Sequence, residues 1–281
     1  MILLDGRKLS QKILAEIKKD IEKNGKPLKL AVLVAGHDPA TKNFIFQKEK
    51  AARSIGIEVL LHRFDVEIKT EDLCRKIVEI SSDKNVNGVI VQLPLPPHID
   101  RQRILDAIPP EKDIDVLSAH AVAAFASGRH WVMPPVAGAV KAFFEEYGID
   151  YKNKRIAVVG AGNLVGKPVA LWLGQEGISF YVMTEASRNP QDILRQADII
   201  ISGTGKPRWI TGDMVKEGAV VIDAGTSESG GEIAGDVDFD SVSEKASFLT
   251  PVPGGVGPVT VAVLLRNLVV LAQSSRGLRI N

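Results

Sequence analysis

The sequence has little of several features that mark particular classes of protein. Cys74 is its only cysteine, so no intramolecular disulfide bond can form, and a reducing compartment, the cytoplasm, is expected. The formal net charge is +1, which gives no excess of either sign to attract nucleic acid or an acidic surface. No apolar run approaches membrane-spanning length, and the N-terminus lacks the basic flank of a signal peptide. We therefore expect no nucleic-acid partner and no membrane partner.

What is present predicts two α/β domains. The chain has 281 residues, of which 45% are hydrophobic and 25% charged, enough for two modest cores. Apolar strands alternate with helices, which predicts parallel sheets covered on both faces, with a cleft between the domains. Strands are predicted at 28–35, 58–63, 88–93, 155–159, 179–184, 198–203, 219–223 and 248–249. Helices are predicted at 8–24, 39–55, 71–82, 100–107, 137–147, 166–176, 190–196, 212–216 and 261–273.

Prolines at 109, 110, 134 and 135 frame a stretch, 109–134, that reads as irregular and contains the domain boundary. The first domain then spans 1–135 and the second, a Rossmann-type nucleotide-binding domain, spans 136–260. The final helix, 261–281, is expected to pack back on the first domain. Asp38 is predicted to cap the helix that starts at Pro39.

The second domain carries a glycine-rich turn between a strand and a helix. An apolar strand, 155–159, runs into the sequence Gly160-Ala161-Gly162-Asn163-Leu164-Val165-Gly166. Such a turn lets backbone amides reach a pyrophosphate at the positive end of the helix. The spacing G-x-G-x-x-x-G is one residue longer than the usual fingerprint, so a tight turn without a ligand is the alternative.

Glu185 lies 19 residues after Gly166, at the end of the next strand. An acid at this place binds the ribose hydroxyls of NAD and repels the 2′-phosphate of NADP. Ala161 supplies no cation for that phosphate, and Arg188 is the only basic candidate that the sequence places nearby. The pattern favours NAD; otherwise Glu185 is only a solvated acid.

The first domain carries candidate chemistry. Phe44 and Lys48 are four residues apart on one predicted helix, so an aromatic ring and an ammonium share a face. The alternative is ordinary packing, with Phe44 in the core and Lys48 reaching water. Gln92 closes an apolar strand before a proline loop, which suggests a site at the carboxyl edge of the sheet. The run Lys112-Asp113-Ile114-Asp115, taken alone, reads as a solvated loop.

The most distinctive segment is 250–260, Thr-Pro-Val-Pro-Gly-Gly-Val-Gly-Pro-Val-Thr, just before an apolar helical pattern that starts near Val261. Proline fixes the backbone and glycine permits close approach by a ligand, so the segment can hold a small molecule or serve as a rigid connector.

Over nearly its whole length the chain resembles the bifunctional methylenetetrahydrofolate dehydrogenase/methenyltetrahydrofolate cyclohydrolase family. The resemblance rests on the shared order of short motifs: Asp5-Gly6, Gly36-His37-Asp38-Pro39-Ala40, Val91-Gln92-Leu93-Pro94-Leu95-Pro96, Lys112-Asp113-Ile114-Asp115, Val165-Gly166-Lys167-Pro168, Gly205-Lys206-Pro207, Val221-Ile222-Asp223-Ala224-Gly225, Gly235-Asp236-Val237-Asp238 and segment 250–260.

The resemblance implies two activities and a homodimer. A nicotinamide cofactor, NAD or NADP, oxidises 5,10-methylenetetrahydrofolate, and water then opens the methenyl product to 10-formyltetrahydrofolate, a one-carbon donor for purine biosynthesis. It implies that Lys48 is the catalytic lysine, that Gln92 bonds to it and that Asp115 grips the pterin. The other implied substrate-binding residues are Phe44, Leu93, Pro253, Gly254, Gly255 and Val259. The implied cofactor-binding residues are Gly160, Ala161, Gly162, Asn163, Val165, Gly166, Glu185, Thr204, Gly205 and Thr226. No metal is implied.

The chain departs from the family pattern at several positions. Phe44 stands where the family usually has tyrosine, so a hydroxyl is lost. Val116 replaces a glycine, so a backbone acceptable to a β-branched residue is expected there. Ala161 and Glu185 replace the arginine and serine that are common, though not universal, in NADP-using members, and Pro135-Val136-Ala137 stands where the family typically has Cys-Thr-Pro. These departures keep three alternatives open: a dehydrogenase with weak cyclohydrolase activity, a catalytically silent binder, or a shikimate-dehydrogenase-like enzyme.

Overall fold

The computed structural model describes residues 1–36, 39–229 and 232–274. The chain forms two compact units. The first, which we call the three-stranded unit, comprises Lys12–Pro135 together with residues from 261 onward. The second, the six-stranded unit, comprises Met1–Gln11 and Val136–Thr260. Asp38, the predicted helix cap, and residues 275–281 of the predicted last helix lie outside the described residues.

The three-stranded unit is built around a parallel sheet with the strand order β3-β2-β4. Its strands are β2 (Leu28–Ala35), β3 (Ile57–Phe64) and β4 (Gly88–Val91). Nearly every residue of β2 and β4 is buried, as expected for a parallel sheet covered on both faces. The helices within this unit are α2 (Pro39–Ser54), α3 (Thr70–Ser82), α4 (Arg101–Asp106) and α5 (Ala119–Ala126).

The six-stranded unit contains a parallel sheet with the order β1-β11-β8-β7-β5-β6. Its strands are β1 (Ile2–Leu3), β5 (Ile156–Val159), β6 (Phe180–Met183), β7 (Ile199–Ser202), β8 (Val220–Asp223) and β11 (Phe248–Leu249). A separate antiparallel pair is formed by β9 (Ser227–Ser229) and β10 (Glu232–Ala234). The helices are α6 (Pro135–Glu146), α7 (Gly166–Gln175), α8 (Pro190–Gln196) and α9 (Phe239–Ser243), with a 3-10 turn at Gly212–Met214.

Two longer helices, α1 (Gly6–Asn24) and α10 (Val256–Ser274), each begin in the six-stranded unit and end in the other. The sequence predicts α10 to start near Val261, but it starts five residues earlier. Pro258 is tolerated there because the first turn of a helix leaves its N–H groups without helical partners. Segment 250–260 is therefore a short loop, 250–255, followed by the first turn of a helix.

The prediction of no membrane-length apolar run is wrong for this helix. By length and composition, α10 could cross a membrane, with a mean hydropathy of 1.7 over its most apolar window. Most of that window is nevertheless buried within the protein, as in the core helix of a globular fold. Its buried residues include Val259, Leu264, Leu265 and Leu268.

Two further predictions differ from the structure. The first eleven residues group with the six-stranded unit because β1 pairs with β11, placing Ile2 opposite Phe248. A two-residue strand is too short for a periodicity to reveal. The stretch 109–134 is not wholly irregular, since it contains α5. There Ser118 caps the helix by accepting a hydrogen bond from the Ala121 backbone, and alanine favours the helix that follows.

Candidate active site

Lys48 lies on α2 and its ammonium is partly buried. Lys48 Nζ donates a hydrogen bond of 3.0 Å to Gln92 Oε1. Gln92 directly follows β4, is itself buried, and its Nε2 donates to the Leu93 carbonyl at 2.7 Å. The bond to Leu93 fixes the amide so that its oxygen faces the ammonium. The structure thus brings together three predicted site residues, Lys48, Gln92 and Leu93.

Asp115 supplies the opposing charge. Burial raises the pKa of Asp115 to about 6, although the Lys48 charge acts to lower it and Asp113 adds to the rise. Burial likewise lowers the pKa of Lys48, against the attraction of Asp115. Throughout the described residues, no group donates a hydrogen bond to the Asp115 carboxylate. A lysine with a lowered pKa beside a carboxylate without donors is suited to proton transfer and to ligand binding.

Phe44 does not lie in the core and Lys48 does not extend into water, so the alternative of ordinary packing is wrong for this pair. Phe44 is 43% exposed, whereas its neighbour Ile45 is 4% exposed and fills the core. The polar residue of the pair is the more buried one, which reverses what ordinary packing would give. Phe44 therefore offers an open aromatic face one helical turn from the ammonium, where a flat heterocycle can stack.

The loop that carries Asp115 is anchored, not solvated. Asp113 is fully buried, and its Oδ2 accepts hydrogen bonds from the backbone N–H groups of Leu117, at 3.1 Å, and Ser118, at 2.8 Å. From α10, Asn267 Nδ2 donates to the Ile114 carbonyl at 2.9 Å. The interpretation of Lys112-Asp113-Ile114-Asp115 as a solvated loop is therefore wrong.

Val116, which stands where the family has glycine, keeps a backbone typical of glycine. Its φ is 55°, in the left-handed region, although it is β-branched and buried. The expectation of an acceptable backbone is therefore wrong, because that conformation costs an L-residue roughly 1–2 kcal/mol. Asp113 and Asn267, which bond the residues on either side, hold the loop in place.

In the glycine turn of the six-stranded unit, each of the three glycines is needed for a different structural reason. Gly160 has a φ of 98° and makes the sharp turn at the end of β5. A Cβ on Gly166 would lie 1.8 Å from the Gly160 carbonyl oxygen, so only glycine lets α7 start so close to the strand. A Cβ on Gly162 would meet nothing within 4 Å, which leaves its backbone open to an approaching group. The turn fits a dinucleotide pyrophosphate at the N-terminus of α7.

The other predicted cofactor residues lie at the same edge of this sheet. Glu185 follows β6, Thr204 and Gly205 follow β7, and Thr226 follows β8. Because β6, β5, β7 and β8 are neighbouring parallel strands, their carboxyl ends and the glycine turn, which holds Ala161, Asn163 and Val165, share one edge. That edge is where α/β sheets bind nucleotides.

The sequence-based view that Arg188 is the only basic group near Glu185 is wrong. Lys206 Nζ lies 2.7 Å from Glu185 Oε1, and this ion pair lowers the pKa of Glu185. Lys206 is distant in sequence, on the loop after β7, and only the parallel pairing of strands brings it close. Its place in the Gly205-Lys206-Pro207 motif was the available signal.

The remaining predicted substrate residues, Pro253, Gly254, Gly255 and Val259, belong to the six-stranded unit. Gly254 has a φ of 107°, and a Cβ on Gly6 would lie 1.8 Å from the Gly255 carbonyl oxygen. This close approach explains why the Asp5-Gly6 motif accompanies the proline–glycine loop. Phe44, Lys48, Gln92, Leu93 and Asp115 belong to the three-stranded unit.

Sequence reasoning missed other residues of structural importance. Asn267 is buried and is the only polar residue of the run 267–272. A single polar residue in an apolar helical run indicates a buried side chain that makes hydrogen bonds. Asp223 and Asp236 are also buried, within the Val221–Gly225 and Gly235–Asp238 motifs, to which the sequence assigns no role. In the described part of the chain, no three His, Cys, Asp or Glu side chains are grouped to hold a metal ion.

Two family models match the chain. The catalytic-domain model of tetrahydrofolate dehydrogenase/cyclohydrolase matches residues 4–115, and the NAD(P)-binding-domain model of the same enzymes matches residues 134–276. The chain belongs to this family. It is therefore an enzyme with two activities: it oxidises 5,10-methylenetetrahydrofolate with a nicotinamide cofactor, and it hydrolyses the methenyl product to 10-formyltetrahydrofolate.

Individual family members match over the full length. The bifunctional protein FolD of Nautilia profundicola is 41% identical over 278 residues, covering 98% of this chain and 98% of that protein. The crystal structure of the bifunctional FolD from Campylobacter jejuni has a TM-score of 0.93 at 38% identity, covering 98% of this chain and 99% of that one. The Trypanosoma brucei FolD, solved with NADP and an inhibitor, has a TM-score of 0.93 at 32% identity, covering 98% of each chain.

Proposed function

We propose that Lys48, Gln92 and Asp115 form the reaction centre of both activities and that NAD is the preferred cofactor. The observation that carries the proposal is the partly buried Lys48 ammonium, held by Gln92 beside a carboxylate to which no described group donates. Burying such a pair costs free energy, so its retention favours a role in chemistry over a role in stability.

In the dehydrogenase step, a hydride leaves the methylene carbon for the nicotinamide ring, which is the chemistry that the cofactor supplies. The folate nitrogens stabilise the resulting cation, so little acid–base help is needed and the protein contributes mainly by positioning. Asp115 accepts hydrogen bonds from the amino edge of the pterin, a two-point contact suited to a carboxylate. Phe44 provides a stacking surface for the rings.

In the cyclohydrolase step, water adds to the methenyl carbon and loses a proton. The bond from that carbon to N5 then breaks: the new hydroxyl loses its proton as the 10-formyl group forms, N5 gains a proton, and one proton is released overall. Lys48 accepts a proton from the water and returns one to N5, since burial lowers its pKa and makes both protonation states accessible nearer to neutral pH. Gln92 keeps the ammonium aimed at the reacting carbon.

The preference for NAD rests on Glu185. A carboxylate at the end of β6 can accept hydrogen bonds from both ribose hydroxyls and repels a 2′-phosphate. Lys206, the cation at this place, is already paired with Glu185, so only part of its charge is free to offset that repulsion. A homodimer, a cytoplasmic location and a supply role in purine biosynthesis are further proposals, supported by the family resemblance. Light scattering of the purified protein tests the dimer.

The testing experiment supplies the purified protein with 5,10-methylenetetrahydrofolate and either NAD or NADP, and follows absorbance. Reduction of the cofactor, faster with NAD, is expected, and 10-formyltetrahydrofolate is the expected product. Accumulation of methenyltetrahydrofolate would instead show that loss of the hydroxyl at Phe44 impairs hydrolysis, and Phe44→Tyr should then restore it. A higher kcat/KM with NADP would contradict the role given to Glu185.

A further inference from the structure

Asp236 is fully buried in the six-stranded unit, yet it takes part in neither proposed reaction step. Its carboxylate nevertheless accepts three hydrogen bonds. Oδ2 accepts hydrogen bonds from Ser202 Oγ and from the Thr204 backbone N–H, both at 2.6 Å, and Oδ1 accepts one from the Lys206 backbone N–H at 3.1 Å. The three donors come from the last residue of β7 and the loop that follows it.

This loop holds two of the proposed cofactor-binding residues, Thr204 and Gly205. Thr204 is fixed a second time, because its Oγ1 accepts hydrogen bonds from Trp209 Nε1, at 3.0 Å, and from the Lys206 N–H, at 3.2 Å. Gly205 has a φ of 71° and a Cβ there would meet nothing within 4 Å. The loop is therefore braced from within the protein while its outer surface stays open.

Asp236 also touches the loop after β8. A Cβ on Gly225 would lie 2.3 Å from the Asp236 carboxylate, so glycine is needed there for the carboxylate to fit. Gly225 precedes Thr226, another proposed cofactor-binding residue. One buried side chain is thus hydrogen-bonded to one loop and packed against the next, at the carboxyl edge of the sheet.

We propose that Asp236 is a positioning residue for the cofactor: it holds the loop 204–206 in its binding conformation before the cofactor arrives. The proposal rests on the cofactor site described under the proposed function. It assigns to Asp236 no contact with substrate and no part in proton transfer.

The chemistry explains why a carboxylate is required. All three partners are donors, and an ionised carboxylate is an acceptor at both oxygens. In Asp236→Asn, one end of the side chain becomes an NH₂ group, which must face either the Lys206 N–H or the pair Ser202 and Thr204. A donor facing a donor pushes part of the loop away. Loss of a hydrogen bond to a charged acceptor corresponds to roughly a tenfold to hundredfold loss of affinity.

The two activities provide the test, because hydrolysis of methenyltetrahydrofolate uses no nicotinamide. In Asp236→Asn, the KM for NAD and NADP should rise about tenfold or more. The KM for methylenetetrahydrofolate and the kcat/KM of hydrolysis should stay within about twofold of the unmodified enzyme. Asp240→Asn, a change at an exposed carboxylate on α9, is the matched control and should alter none of these constants.

Equal loss of both activities in Asp236→Asn would mean a general structural role and would overturn the proposal, as would an unchanged KM for the cofactor. If the variant does not fold, hydrogen exchange in the unmodified protein tests whether loop 204–206 is ordered before the cofactor binds. The amides of Thr204 and Lys206 should exchange slowly before any cofactor is added. Protection that appears only with NAD would show that the cofactor, not Asp236, orders the loop. Failure of the unmodified protein to reduce NAD or NADP would instead refute the proposed function.

Discussion

Asp115 in the three-stranded unit and Asp223 in the six-stranded unit are both carboxyls whose pKa burial raises to about 6. Their surroundings are opposite. Asp223 accepts backbone hydrogen bonds from Gly225 at 2.9 Å, Asp236 at 3.2 Å and Val237 at 2.9 Å. Asp115 accepts none from any residue that the structure describes. The same shift in pKa therefore accompanies a hydrogen-bonded carboxyl in one unit and, in the other, a carboxyl without described donors that we propose binds the pterin.

The difference concerns the two proposed sites and not every carboxylate, since Asp113 in the three-stranded unit also anchors a loop. In the three-stranded unit, the charges of Lys48 and Asp115 are incompletely paired. Burying them lowers the stability of the fold, and the same burial shifts their pKa values in directions that suit proton transfer and binding. In the six-stranded unit the buried carboxylates Asp223 and Asp236 accept backbone hydrogen bonds from loops that we propose bind the cofactor. A pKa shift alone does not distinguish these cases, whereas the inventory of hydrogen-bond donors does.

The largest effect is expected from Lys48→Met. It should lower the hydrolysis of methenyltetrahydrofolate by about 10²- to 10⁴-fold, the range of general acid–base catalysis, while some hydride transfer remains. Lys50→Met, at an exposed lysine of the same helix, is the control. Separate absorbance assays of the two half-reactions provide the comparison, and an equal fall in both would refute the division of roles.

Asp115→Asn should raise the KM for the folate about tenfold to hundredfold, because a charged acceptor for the pterin is lost. Its free energy of unfolding should not fall, since no protein hydrogen bond is removed. Burial raises the folded-state pKa, so the ionised carboxylate weakens the fold. The unmodified protein should therefore lose stability relative to Asp115→Asn as the pH rises from about 4 to about 6. Urea unfolding of both proteins measures this difference in the free energy of unfolding. A difference that stayed constant from pH 4 to pH 6 would contradict the raised pKa of Asp115.

A less favourable outcome is expected in the six-stranded unit. Asp223→Asn also removes an ionised carboxylate whose pKa burial raises, but it places an NH₂ group against backbone donors of Gly225 or Val237, so its free energy of unfolding at pH 7 should lie about 1–3 kcal/mol below that of Asp115→Asn. Urea unfolding of the two Asn variants side by side tests the contrast. Equal free energies of unfolding for Asp115→Asn and Asp223→Asn would contradict the contrast between the two carboxyls.

Cofactor preference should respond to the Glu185–Lys206 pair. Lys206→Met leaves the Glu185 charge unopposed, so the ratio of kcat/KM for NAD to that for NADP should rise by about fivefold to tenfold. Glu185→Ser combined with Ala161→Arg should shift the ratio toward NADP. A ratio that neither change moves would place both side chains outside the cofactor site.

The smallest effect concerns Val116. Val116→Gly removes buried apolar surface but also relieves the strain of a left-handed φ. Val86 is similarly buried and does not have a positive φ, so Val86→Gly removes buried surface without relieving strain. Val116→Gly should therefore destabilise the protein by about 1–2 kcal/mol less than Val86→Gly. Equal losses in thermal unfolding would show that Val116 stores no strain.

The sequence predicts the sheets well because buried parallel strands are continuous apolar runs, as in β4 and β5. It predicts the pairing of Lys48 with Gln92 through the family resemblance. It does not reveal β1, which has too few residues for a periodicity, or the Lys206–Glu185 pair, which depends on strand order. The left-handed φ of Val116 is likewise hidden, because the loop around it depends on buried hydrogen bonds from distant positions such as Asn267.

The central claim is that Asp115 is open to the pterin and that Asp223 is not. Carbon-13 NMR of aspartate-labelled protein can follow both carboxyls, with the two Asn variants supplying the assignments. Tetrahydrofolate, which has the pterin but no one-carbon group to react, is the ligand. Donors from the pterin should lower the pKa of Asp115 and leave that of Asp223 near its value in the free protein. An unchanged pKa for Asp115 in the bound state, or an equal shift in both, would contradict the account.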